Sequence, residues 1–223
     1  MSATALYTRG KSIDDVSSFS GPGGTVVQYI DNLNLERGLS SFDVRNNLST
    51  TFQYTSPFGM RGHFRNTTWY TSWLKGWATS GTFNITSGTP MTATVAGNQS
   101  NNAGSGAIGG TLRAEATGLP IYAAGYPYFD TAAFTTPPAG QFGDAGRNTI
   151  PGLEHATFNV SFRRNFRLGD SSMRTLSLQL NTRNALNHPS ITGIGTTVNA
   201  NTFGYATGAS AMRTVSMALR FSF

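Results

Sequence analysis

The sequence predicts an all-β chain: about six antiparallel strands in up-and-down order, forming part of the wall of a membrane-spanning barrel with long extracellular loops. Three observations predict it. Residues 215–223 alternate without a slip, with Val215, Met217, Leu219, Phe221 and Phe223 on one face, Ser216, Ala218, Arg220 and Ser222 on the other, and an aromatic at the end. Only 12% of the residues are charged and 26 are Gly, and the abundance of Thr, Ser and Asn favours strands joined by turns over helices. Finally, long and short connections alternate along the chain, as they do when every second loop lies on the outer side of a barrel.

The strands follow in order. Residues 4–9 read as the tail of a first strand, and residues 42–54 as a second, with Phe42, Val44, Leu48, Phe52 and Tyr54 opposing Asp43, Arg45, Asn47, Ser49, Thr51 and Gln53. In residues 77–86, Trp77, Phe83 and Ile85 oppose Ser80, Thr82 and Asn84. In residues 156–168, Ala156, Phe158, Val160, Phe162, Phe166 and Leu168 oppose Thr157, Asn159, Ser161, Arg163, Asn165 and Arg167. Leu176, Leu178, Leu180 and Leu186 then oppose Thr175, Ser177, Gln179, Asn181 and Arg183, before the closing strand.

With residue 223 at the periplasmic end, residues 168–173 form a periplasmic turn, and the Gly/Asn/Thr-rich segments 187–210 and 87–155 become outer loops. Residues 57–76 are then periplasmic, and long for such a turn. Sliding the 156–168 strand by one residue would move Arg163 and Arg167 into lipid, where a midplane arginine costs about 2 to 4 kcal/mol. Arg164 and Arg213 share parity with the apolar residues. Arg213 falls near the outer rim, within reach of lipopolysaccharide phosphates, whereas alternation gives no account of Arg164. Six strands fall short of the roughly eight that a bacterial barrel needs, so the chain reads as part of a larger wall.

Composition excludes other classes. No run reaches the roughly 20 apolar residues of a membrane-spanning helix, no secretory signal opens the chain, and the lack of Cys removes disulfide scaffolds and Cys-based zinc sites. The net charge of +6 comes from scattered basic residues without a basic helix or run, so no nucleic-acid partner is expected.

Residues 104–109 match GxGxxG but lie in Asn/Gly/Ser-rich sequence with no flanking strand and helix, which favours a loop tip over a phosphate cradle. His63, His155 and His188 lack ligand spacing, so neither a metal site nor a cofactor is assigned. Asp14, Asp15, Asp31, Asn32 and Asn34 offer oxygen ligands for calcium, but without the EF-hand pattern a solvated loop is favoured. The carboxylates are dispersed and no GxSxG elbow occurs, so no catalytic residue is assigned and no enzyme is expected. Trp69, Tyr70, Trp73 and Trp77 read as interfacial aromatics, or as a glycan-stacking patch if the fold is a soluble sandwich. Asp43, Arg45, Gln53, Arg163, Arg167, Gln179, Arg183 and Arg220 fall on polar faces. They either line the lumen with positive potential or merely solvate a polar wall.

Several short blocks in order carry a resemblance to a known family: residues 11–15 (KSIDD), 36–45 (ERGLSSFDVR), 56–59 (SPFG), 76–77 (GW), 87–90 (SGTP), 142–148 (FGDAGRN), 184–189 (NALNHP) and the terminal Phe223. In these the chain resembles the C-terminal end of TonB-dependent outer-membrane receptors of the Oar-like group. The resemblance implies a barrel of about 22 strands around an N-terminal plug, of which residues 1–223 are the C-terminal part, with plug and signal peptide absent. It also implies location in the bacterial outer membrane and a role in substrate uptake or export. The implied partners are outer-membrane lipid and lipopolysaccharide, the rest of the barrel and its plug, and TonB through the missing N-terminal part. The barrel-assembly machinery would read Val215, Met217, Leu219, Phe221 and Phe223 as a C-terminal signal. The alternatives are a soluble secreted glycan-binding β-sandwich and a small independent barrel.

Overall fold

A computed structural model describes residues 1–16, 27–28, 32–56, 75–97, 112–122, 128–168 and 174–223. Six long strands carry the alternating segments: β1 (Ser2–Arg9), β2 (Asn46–Thr55), β3 (Trp77–Thr86), β4 (His155–Arg167), β5 (Thr175–Arg183) and β6 (Thr214–Ser222). Each pairs antiparallel with its neighbours in sequence, giving one six-stranded meander with β1 and β6 as its edges. All five ladders run without a register shift. Since a one-residue slip would exchange the apolar and polar faces, two-sided patterning pins the register along each strand.

Pairing turns the alternation of single strands into continuous rows. On one face Tyr54, Thr79, Phe162, Leu180 and Met217 lie side by side across five strands. Toward the other end, Phe158 packs against Phe52 and Phe83, each at a ring-centroid distance of 6.3 Å. Gly81 makes room for this, because a Cβ there would come within 2.4 Å of the Phe52 ring. On the opposite face, Gln53, Ser80, Ser161, Asn181 and Ser216 form the corresponding polar row.

Two strand ends differ from the sequence expectation. β2 begins at Asn46 rather than at residue 42, level with the end of its partner at Arg9. Residues before it are held in a turn: the Asp43 N–H donates to the Ser40 carbonyl at 2.9 Å, and buried Asp43 Oδ1 accepts from Ser12 N–H at 2.6 Å. A carboxylate so engaged is stabler there than in an exposed strand extension. β5 stops at Arg183 because Asn184 takes a left-handed conformation, φ 49°, which leaves Leu186 exposed beyond the strand.

The connections predicted as Gly/Asn/Thr-rich loops contain the molecule's buried apolar core. A meander places β1–β2, β3–β4 and β5–β6 connections at one end, and there they pack into a cap stiffened by short ribbons. Ile13–Asp14 pairs with Gly38–Leu39, Thr94–Val95 with Leu112–Arg113, Glu115–Ala116 with Phe134–Thr135, and Ile191–Ile194 with Ala206–Ala209. Phe129 stacks edge-to-face on Phe134 at 6.2 Å and on Phe203 at 5.2 Å, with Ala93, Ala114, Ala145 and Ile150 enclosed around them. Each large side chain so buried contributes about 1.5 to 3 kcal/mol. The sheet shows the reverse: Met217 is 67% exposed against 1% for Phe129, because neither sheet face is covered by the described residues. A sandwich would require a second sheet across one of these faces, whereas the remaining strands among the described residues pair as two-stranded ribbons.

Candidate functional site: the polar face and the cap above it

The polar face is a ladder of neutral hydrogen bonds. Ser161 Oγ donates to Asn181 Oδ1 at 2.8 Å, and Gln179 Nε2 donates to the same oxygen at 2.9 Å. Ser49 Oγ donates to Asn84 Oδ1 at 2.7 Å, and Ser177 Oγ to Asn165 Oδ1 at 2.8 Å. These bonds fix the amides across neighbouring strands. A cavity of about 720 Å³ opens over the middle of this face, lined among others by Gln53, Ser80, Asn159, Asn181 and Arg183.

Six of the eight positions read from sequence as polar-facing share this surface: Gln53, Arg163, Arg167, Gln179, Arg183 and Arg220. None of the six strands contains Asp or Glu. The four arginines therefore give the face a positive potential that no strand carboxylate offsets. Asp43 and Arg45 lie elsewhere. They precede β2 at the base of the cap, where Arg45 Nη2 approaches Asp43 Oδ2 at 3.6 Å.

On the apolar face, Val215, Met217, Leu219 and Phe221 stand opposite Thr182, Leu180, Leu178 and Leu176, and Phe223 stacks on Phe221 at 5.7 Å. Trp77 opens β3 on this face, while Trp69, Tyr70 and Trp73 lie outside the described residues. Arg164, which alternation leaves on the apolar face, sits opposite Trp77. Its guanidinium carbon lies 4.5 Å from the Phe166 ring centroid and 5.6 Å from that of Trp77. Cation–π stacking gives it a place that alternation does not.

The cap holds a buried charged network. Arg113 donates through Nη1 to the Leu35 carbonyl at 2.7 Å, pairs through Nη2 with Glu36 Oε1 at 3.4 Å, and donates its backbone N–H to Gln28 Oε1 at 2.8 Å. Gln28 reaches on to the Gly143 carbonyl at 2.9 Å, and its own N–H donates to Glu36 Oε1 at 2.9 Å. Arg147 donates to the Glu36 carbonyl at 2.7 Å and pairs with Asp14. Desolvation pulls the Arg113 pKa below its ordinary value, Glu36 opposes that, and Arg147 adds to it. The guanidinium nevertheless remains charged, as arginine does in proteins.

The two arginines lie 77 (Arg113–Glu36) to 133 (Arg147–Asp14) residues from their partners in sequence, so no local spacing signals them. One indirect signal existed: Asp14, Glu36, Gly143, Arg147 and Asn148 all belong to the short blocks that carry the family resemblance, and those blocks meet in the cap. The Asp14 carboxylate, weighed as a calcium ligand and read as part of a solvated loop, pairs with Arg147, and no group of three or more His, Asp or Glu side chains that could hold a metal occurs among the described residues. His155 opens β4, and His188 is held through its backbone, its N–H donating to Asn184 Oδ1 at 3.0 Å. Asp31, His63 and the glycines of residues 104–109 lie outside the described residues.

Comparison with known proteins agrees with this two-faced sheet. The family model of the outer membrane β-barrel domain matches residues 1–216, almost the whole chain. No curated protein and no solved structure matches it. The protein is therefore located in the bacterial outer membrane, and the chain belongs to the outer membrane β-barrel domain family.

Proposed function

We propose that the chain forms wall, lumen lining and outer cap in the C-terminal part of a TonB-dependent, Oar-like transporter, and that it catalyses no reaction. One observation carries the proposal: the sheet is two-faced from β2 to β6, yet both β1 and β6 are edges without a neighbour among the described residues. An unpaired edge is untenable in hydrocarbon, since its N–H and C=O groups find no water there. Further strands must therefore close the wall. The ordered sequence blocks supply the TonB-dependent, Oar-like component of the reading.

In such a transporter the polar face borders the lumen, with Gln53, Gln179 and the four arginines facing solute or plug. The apolar face meets lipid, and the cap meets the cell exterior and lipopolysaccharide. The closing strand is the one offered to the barrel-assembly machinery, and TonB acts through the plug-bearing part. An antiserum against the cap tests this on unheated and heated gels of outer membranes. It should detect a heat-modifiable protein several times larger than the 23.8 kDa of this chain. A heat-modifiable band at 23.8 kDa alone would mean a small independent barrel and would overturn the transporter reading.

A further inference from the structure

An apolar groove of about 530 Å³ crosses the sheet's apolar face, lined by Tyr54, Trp77, Thr79, Phe162, Leu178 and Met217 among others. Small Thr79 lies in register between Tyr54 and Phe162, so the surface dips between two rings. Arg164 occupies the adjoining row, flanked in register by the lining residues Trp77 and Leu178. A cation thus stands beside an apolar groove. The two are close to one end of the sheet: Arg164 lies three residues before the end of β4, opposite the end that bears the cap.

From this juxtaposition we infer a binding site for one anionic glycerophospholipid of the periplasmic leaflet, its phosphate on Arg164 and one acyl chain in the groove. Stacking on Phe166 and Trp77 engages the faces of the guanidinium, whereas its N–H donors lie in its plane, the geometry with which arginine takes a phosphate. Charge complementarity selects an anionic headgroup over a zwitterionic one, whose ammonium competes for the same phosphate. The cap end is outside in the topology adopted above, which places Arg164 in the leaflet of phospholipid rather than of lipopolysaccharide. The site depends on the apolar face being the lipid-facing one, as in the proposed function.

These 223 residues contain no Cys, and any Cys elsewhere in the protein would be replaced by Ser, so that each label is single. Bimane would be attached at Leu219→Cys, which shares the row of Arg164 and Leu178, or at Ala218→Cys on the opposite face, in the whole protein purified from outer membranes. Vesicles of phosphatidylcholine would carry brominated phosphatidylglycerol or brominated phosphatidylcholine. Quenching at residue 219 and not at residue 218 is expected, with a roughly fivefold preference for phosphatidylglycerol, the size of one interfacial charge interaction. Arg164→Leu should bring that preference to parity while quenching persists. Equal quenching by both lipids in the unsubstituted protein, or a preference that survives Arg164→Leu, would overturn the lipid site and leave the facing intact. Quenching at residue 218 instead of 219 would overturn the facing itself.

Discussion

Buried arginines decide how the cap is held. Arg113 and Glu36 have side chains only 6% and 3% exposed, with Arg147 close by as a second cation. A buried ion pair of this kind adds little net stability, but removing one partner leaves the other desolvated and uncompensated. Glu36→Ala should therefore destabilise the cap by about 3 to 5 kcal/mol, and the double substitution Glu36→Met with Arg113→Met should recover much of that loss. Hydrogen exchange of the cap amides, read in the single and double variants, checks both. Equal protection in Glu36→Ala and the unsubstituted protein would show that the pair is dispensable. Arg164 shows another way to place a charge: half-buried on an apolar face, it stacks on Trp77 and Phe166.

At the level of the element, β4 shows why the alternating pattern suffices for a strand. Phe162 and Arg163 are neighbours in sequence but occupy opposite faces, Phe162 beside Thr79 and Leu180, Arg163 beside Ala78 and Gln179. If Phe162 meets hydrocarbon, Phe162→Arg should lower the unfolding free energy in bilayers by about 2 kcal/mol or more, whereas Arg163→Gln should stay within about 0.5 kcal/mol. Denaturant titration of tryptophan fluorescence in lipid vesicles would measure both, and similar losses would reject the facing. The ends of elements follow other rules. Asn184 closes β5 by accepting the left-handed turn and by donating through Nδ2 to the carbonyls of His188 at 3.1 Å and Ala211 at 3.3 Å. Its backbone N–H is taken by Asn159 Oδ1 at 3.1 Å, which ties the end of the strand to its neighbour.

The whole molecule consists of two parts with different cohesion. The sheet is held by five ladders and exposes its apolar face; in the proposed wall its stability depends on lipid and on strands that pair with β1 and β6. The cap is held by its own apolar core and charged network, as a small water-soluble domain is. The two should fail separately. Phe129→Ala removes the side chain at the centre of the core and should cost the cap about 3 to 5 kcal/mol. On intact cells this variant is expected to be nicked by external protease within residues 112–154 while its barrel keeps heat-modifiable migration. Loss of migration together with nicking would show that cap and wall fold as one unit.

Strand faces were legible in the sequence because alternation is local: a residue's side of the sheet follows from its parity with its neighbours. That is why residues 77–86 were read with their observed bounds, and why residues 42–45 were not, since the turn at Asp43 depends on Ser12 and Ser40 rather than on parity. By itself the sequence determined the all-β class, the meander order and the two-faced character of the sheet. Only the tertiary structure decided that the Gly/Asn/Thr-rich connections pack into a cap, that Glu36, Arg113, Arg147 and Asp14 meet inside it, and that Arg164 stands beside an apolar groove. The physical reason is distance along the chain. A part-buried polar contact between residues 133 apart leaves no period in the sequence, because its energy depends on which loops the ladders bring to the same end.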